Sequence, residues 1–208
     1  MFVEDNIQFK AERYAVKMLR LFDTIPYNLM EQFLEKKNKH LPDYKAKETL
    51  KSLLSKRIVM YSPADKCYRL IGKIPKNIDK ICAFAVYLHL SKTNEVKIHF
   101  ADYPFDYIFQ DNHRLFQLIN YSDDGVYKLN FRKNMQNEKS EFYNVIPVIM
   151  MINSTASPFK DVDSSGNLSL IPREDYYIAN VTFVPTSNDL DKIEVSIKKY
   201  KGGTLNEY

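Results

Sequence analysis

The chain has 208 residues, 45% of them apolar and 13% aromatic, enough to fill the core of one large domain or two small ones. Five glycines leave little material for a Gly-rich phosphate loop, and two cysteines cannot build a disulfide framework. The net charge of +4 conceals an asymmetry: residues 1–76 hold 16 Lys/Arg against 9 Asp/Glu, net +7, while residues 77–208 hold 14 against 17, net −3.

The opening MFVEDNIQFK carries acids where a secretory signal needs a basic start and an apolar run. No apolar stretch approaches the roughly 18 residues of a membrane helix. Together these predict a cytoplasmic protein with reduced thiols and no membrane contact. Phe9–Phe22 has helical spacing, with Ala11, Ala15, Met18, Leu19 and Phe22 on one stripe and Glu12, Lys17 and Arg20 largely away from it. Asp23 and Thr24 end that helix. Pro26 suits the first turn of a second one, whose buried stripe is Ile25, Leu29, Met30, Phe33 and Leu34. A basic linker, Glu35–Leu41, leads to Pro42 and a third helix. Its inward residues are Ala46, Leu50, Leu53 and Leu54, which leaves Lys45, Lys47, Glu48, Thr49, Lys51 and Ser52 facing out.

After Lys56 the period changes. Arg57–Tyr61 and Lys66–Ile71 read as two strands joined by the turn residues Ser62-Pro63-Ala64-Asp65. Three helices followed by a short hairpin is the order of a winged helix-turn-helix, predicted over 8–73. Between Lys36 and Arg57 stand eight Lys or Arg against two acids, Asp43 and Glu48. Such density attracts phosphate backbones, because bound cations release condensed counterions. The expected partner is double-stranded DNA. In a winged helix the outward residues of the third helix enter the major groove, here Tyr44, Lys45, Lys47, Glu48, Thr49 and Ser52, while Lys51 suits a phosphate. Lys36, Lys37, Lys39, Lys56, Arg57, Lys66 and Arg69 are the expected backbone contacts.

Gly72–Asn77 is the expected boundary, followed by an α+β domain over 78–200. A buried helix at 78–90 leads into strands at Val96–Ala101, Tyr103–Gln110, Leu115–Tyr121 and Val126–Phe131. Val145–Ile152 is a buried strand or a short helix. Asn153–Asn167 is a long loop, and strands at Tyr176–Pro185 and Ile193–Lys199 complete a mainly antiparallel sheet. Tyr103, Phe105, Tyr107 and Phe109 alternate, so they share one face. They form either a stacking platform for bases or, as favoured here, a core face packed on the 78–90 helix.

Evidence of chemistry is thin. Glu95-Val96-Lys97 with Asp79 fits the acid-x-Lys pattern of a Mg²⁺-dependent nuclease of the restriction-enzyme type, but Glu35-Lys36-Lys37 and Asp43-Tyr44-Lys45 fit it equally. His40, His89, His99 and His113 have no ligand spacing with the cysteines, so neither metal nor cofactor is expected. Cys82 lies in a very apolar helix. Cys67 stands beside Lys66 and Arg69, where positive charge favours thiolate; a redox-sensing wing is the alternative to a structural cysteine.

The segment Leu50-Lys51-Ser52-Leu53-Leu54-Ser55-Lys56-Arg57-Ile58-Val59 with its wing, then Ile98-His99-Phe100-Ala101-Asp102-Tyr103-Pro104, Ile108-Phe109 and the strand ending at Tyr121, together resemble one group of bacterial mobile-element proteins. These are the replication-relaxation proteins and a related winged-helix family of conjugative transposons. The resemblance covers about two thirds of the chain. It implies an N-terminal winged helix, a degenerate nuclease-type second domain, and a DNA-associated role in plasmid or transposon replication, transfer or transcriptional control. The reading is of a non-enzymatic DNA-binding protein, expected as a homodimer through its first helix or its C-terminal sheet, with other replication or transfer proteins as further partners. A Mg²⁺-dependent nuclease and a winged-helix protein-interaction module are the alternatives.

Overall fold

The computed structural model describes residues 2–41, 44–72, 77–91, 97–101, 106–111, 114–122, 125, 127–129, 145–153, 175–182 and 193–201. The protein is mixed α+β and divides into two compact units. Among the described residues, the first holds everything up to Ser91 together with Ile193. The second holds 97–182 and the chain from Glu194 on.

In the first unit, α1 (Phe2–Phe22) is followed by β1 (Thr24–Pro26), α2 (Tyr27–Asn38), α3 (Ala46–Ser55), β2 (Val59–Ser62), β3 (Cys67–Leu70) and α4 (Ile78–Leu90). The stripe Ala11, Ala15, Met18, Leu19 and Phe22 is wholly buried, as the helical spacing predicts. Pro26 lies one position earlier than expected. It is the N-cap of α2, with φ −56° and ψ 145°, an extended geometry that also lets it pair with Cys67. The three strands form an antiparallel sheet in the order β1-β3-β2, with Ile25 and Tyr61 both opposite Tyr68.

The 78–90 helix, expected within the second domain, is grouped with this first unit. Residues Ile81 to Leu88 are buried all round α4, so it needs cover on every side. Phe84 sits between Phe22 and Phe33, ring centroids 5.0 and 5.8 Å away, and Ile81 packs with Cys67. Asn77 caps the helix by accepting from the Lys80 amide at 3.0 Å, and Lys80 in turn pairs with Asp23 beyond the end of α1.

The second unit is a six-stranded sheet in simple sequence order: β4 (Ile98–Phe100), β5 (Tyr107–Asp111), β6 (Arg114–Asn120), β7 (Val145–Ile152), β8 (Tyr176–Thr182) and β9 (Glu194–Tyr200). The expectation of a mainly antiparallel sheet needs correcting at its centre. The β6–β7 and β7–β8 pairs are parallel, flanked by antiparallel pairs on both sides. Parallel central strands are covered on both faces, which is why Val145–Ile152 reads as a continuous apolar run. Pro147 stands opposite Gln117 in the β6–β7 register and precedes the β7–β8 ladder, which starts at Val148 opposite Tyr177, so it has no partner on β8 to lose.

Ile119, Ile149 and Ile178 align across β6, β7 and β8 and form one core with Leu129, Met151 and Tyr176. Residues 127–129 are helical, against the strand expected there. A strand would put Tyr127 and Leu129 on one face; instead Tyr127 is 72% exposed and Leu129 4%. Tyr107 and Phe109 are buried and stack on Phe100 and Phe116, so this part of the aromatic row is core; Tyr103 and Phe105 lie outside the described residues. The long loop expected at 153–167 also lies outside them, apart from Asn153.

The outer strands differ from the centre. β4 is only three residues long, and β9 exposes Lys198 and Lys199, the latter paired with Asp175 at 2.6 Å. Among the described residues, no helix is long and apolar enough to cross a membrane.

Because Ile149 is fully buried at the centre of the parallel core, Ile149→Ala should cost about 2–5 kcal/mol. Denaturant unfolding followed by circular dichroism would register this as a lower midpoint.

Candidate nucleic-acid interface

The 14 residues singled out above fall into three groups. The first lies on the outward arc of α3. Ala46, Thr49, Leu50 and Leu53 are buried on one side of this helix, while Lys47, Glu48, Lys51 and Ser55 are exposed on the other. At roughly 100° per residue, Lys47, Lys51 and Ser55 follow one another up a single face. Lys45 precedes the helix and lies 4.0 Å from Glu48, both side chains well exposed. Such an exposed pair contributes little to stability.

A second group is engaged with other side chains and carbonyls of the protein. Thr49, expected to face out, is fully buried: its hydroxyl shares a 2.9 Å hydrogen bond with the Tyr44 hydroxyl and donates to Gln8 Oε1 at 3.4 Å. Ser52 donates to Glu12 Oε1 at 2.6 Å, and Lys56 Nζ donates to both Glu12 oxygens at 2.7 Å. Lys37 is also buried, with Nζ 5.9 Å from the Phe33 ring centre and 5.8 Å from that of Tyr87. Lys36 Nζ donates to the Leu88 carbonyl at 2.7 Å, at the C-terminal end of α4 where cations are favoured. The expectation that Lys36 and Lys37 hold phosphate is therefore revised. Their ammonium groups are engaged with α4, because this helix covers the end of α2.

The third group surrounds the hairpin. Arg57 and Lys66 are exposed, and Arg69 is largely covered and bound to Asp65 at 2.8 Å. Arg57 and Lys66 both have left-handed backbone, φ +54° and +50°. At Arg57 the reason is visible. Its amide reaches Leu54 O at 3.0 Å and that of Ile58 reaches Leu53 O at 3.1 Å, the paired bonds of a Schellman ending. Glycine is the usual residue there, and an L side chain costs about 1 kcal/mol. Lys39 is exposed in the turn after α2.

Glu12 organises this surface, and the sequence reading placed it away from the core. Its spacing with Ala15 and Leu19, three and seven residues on, already puts it on the apolar stripe. Thr49 likewise continues the row Ala46, Leu50, Leu53. Burial alone would raise the Glu12 pKa, but the hydrogen bonds from Lys56 and Ser52 outweigh it, and the carboxyl titrates below its ordinary value.

The other candidate chemistry falls on several parts of the chain. Asp79 is exposed on α4 in the first unit, Lys97 is exposed in the second, and Glu95 lies outside the described residues, as does Asp43. His40, His89 and His99 are exposed and His113 is not described. No group of three or more His, Cys, Asp or Glu is gathered as a metal site among the described residues. Cys67 is fully buried with its thiol donating to Asp65 O at 3.1 Å, which corrects the idea of an accessible redox-sensing wing. Burial, followed by the charge of Asp79, pushes the Cys82 thiol up to about 12.

Glu12→Gln should destabilise the protein by about 1–2 kcal/mol at neutral pH, since Lys56 is half exposed and can turn to water. With its folded pKa lowered, Glu12 contributes stability above the unfolded-state value, and this is lost as pH falls through the folded value. Thermal melts between pH 7 and 3 should therefore converge for the two proteins at the acid end. The chain matches no protein-family model and no curated protein.

Proposed function

We propose that the first unit is a winged helix that binds duplex DNA, with the outward arc of α3 directed to the major groove and the β2–β3 hairpin resting on the backbone. The observation that carries this reading is the division of α3 into two faces. Thr49, Ser52 and the following Lys56 lock one side onto α1, leaving Lys47, Lys51 and Ser55 together on the other. Arg57 and Lys66 add support, since long cationic side chains occupy backbone positions where glycine is conformationally cheaper. In this reading Lys39, Lys45, Lys47, Lys51, Arg57 and Lys66 approach phosphates, and Glu48 and Ser55 face base edges.

The protein acts by binding and not by bond chemistry. A homodimer engages two half-sites in the cytoplasm of a bacterial host. The setting, replication, transfer or transcriptional control of a plasmid or conjugative transposon, rests on the resemblance of the Leu50–Val59 and Ile98–Pro104 segments. Other replication or transfer proteins would be its partners there.

Fluorescence anisotropy with labelled duplex, repeated across salt concentrations, tests the α3 assignment. Lys47→Glu with Lys51→Glu should weaken binding at least about tenfold and flatten the slope of log K against log salt by roughly two. An unchanged slope would remove α3 from the interface. Arg57→Gly separates binding from folding. It should leave stability equal or raise it by up to about 1 kcal/mol, yet reduce the slope by roughly one. A variant that melts higher and binds as before would show that Arg57 does not touch the backbone.

A further inference from the structure

The reverse side of α1 carries a second row of cations. From Gln8 to Phe22 the helix has one acid, Glu12, and that carboxylate is turned into the seam with α3. Lys10, Arg13 and Arg20 are exposed and Lys17 is half-buried, all on the arc opposite the buried stripe. At a 1.5 Å rise, Lys10 to Arg20 spans about 15 Å of helix. Among the described residues Lys10, Arg13 and Arg20 form no ion pair. Two of them lie along aromatic rings, with Lys10 Nζ 5.9 Å from the Tyr14 ring centre and the Arg13 guanidinium 5.9 Å from that of Phe9, itself 58% exposed. These contacts hold the long stems against the helix with their heads in water.

We infer that the outward face of α1 is a second contact surface for nucleic-acid backbone, separate from the face proposed on α3; the choice of nucleic acid as the polyanion rests on that proposal. Duplex DNA presents one charge per about 1.7 Å of axis, so the exposed Lys10, Arg13 and Arg20, spread over about 15 Å, meet several phosphates at once. The face is poorly suited to a second copy of itself, because a two-fold contact would bring like charges together. It is equally unsuited to insertion in a lipid surface. An interfacial helix sinks its apolar stripe into the bilayer, and here that stripe, Ala11 to Phe22, is consumed in the protein core.

The test is Arg13→Glu with Arg20→Glu in the full chain, made both alone and in the Lys47→Glu/Lys51→Glu background, with labelled duplex titrated over salt. The pair should lower affinity about tenfold in each background and reduce the salt slope by roughly two, with the thermal midpoint unchanged. If only the α3 pair alters binding, the inference on α1 fails and the α3 reading stands. If only the α1 pair does, the α3 reading fails and the inference stands. If neither does, both fall. Should charge reversal lower the midpoint, Arg13→Gln with Arg20→Gln gives the same readout, with a slope loss of roughly two still required. Binding to phosphatidylserine-containing vesicles that the α1 pair abolishes, with duplex binding untouched, would overturn the assignment in favour of a membrane surface.

Discussion

Glu12 reaches from α1 into the seam with α3, where Ser52 and Lys56 close on it from successive turns. That three-residue cluster does more than join two helices. Its geometry fixes the rotation of α3 about its own axis, and the rotation decides which side chains see solvent. Thr49, bonded to Tyr44 and Gln8 one turn earlier, fixes the same rotation from the other end. Hydrophobic burial of Ala46, Leu50 and Leu53 would tolerate a few tens of degrees of roll. Directional bonds to a largely buried carboxylate do not, since a misplaced Glu12 would be desolvated without compensation. The exposed lysines of α3 are thus positioned by polar contacts on its hidden side.

The second unit is held by a different kind of interaction. Its centre is a parallel β6-β7-β8 core in which isoleucines align strand to strand, and the main chain of Asn120 beside it is bonded by side chains from within the unit. Asp106 accepts from the Asn120 amide at 2.6 Å, and Lys128 donates to the Asn120 carbonyl at 3.2 Å. Asp111 is fully buried and is met by Arg114 at 3.0 Å, so the β5–β6 hairpin neutralises its own charge. The two units therefore contrast in charge as well as in architecture. The first places most of its cations on its helices and around its hairpin, and the second pairs the buried Asp111 with a neighbour three residues away.

Apolar periodicity was a faithful guide to the helices. The stripe of α1, Leu29, Met30, Phe33 and Leu34 of α2, and Ala46, Leu50 and Leu53 of α3 are buried as their spacing predicts, because burial enforces the 3.6-residue repeat; Ile25 is buried on β1 and not on α2, and Leu54 is half-buried. Polar residues on that repeat were harder to read. Glu12 and Thr49 occupy core positions by phase, yet their chemistry argues for solvent; only a partner across the helix seam resolves the conflict, and that partner is distant in sequence. The same holds for Lys37, which is buried, and for Lys36, whose ammonium donates to the Leu88 carbonyl. A dense basic run counts charge without showing where the ammonium groups point, and α4 draws these two inward. The parallel centre of the large sheet was also hidden. A buried run such as Val145–Ile152 signals cover on both faces but not strand direction, which depends on connections that composition does not encode.

The margins of the six-stranded sheet carry one more implication. At one side stands a strand of three residues, and at the other a strand studded with lysines. An incoming extended segment would find few backbone partners at the first and the exposed Lys198 side chain at the second. Edge-to-edge extension of this sheet into a continuous main-chain ladder is accordingly disfavoured.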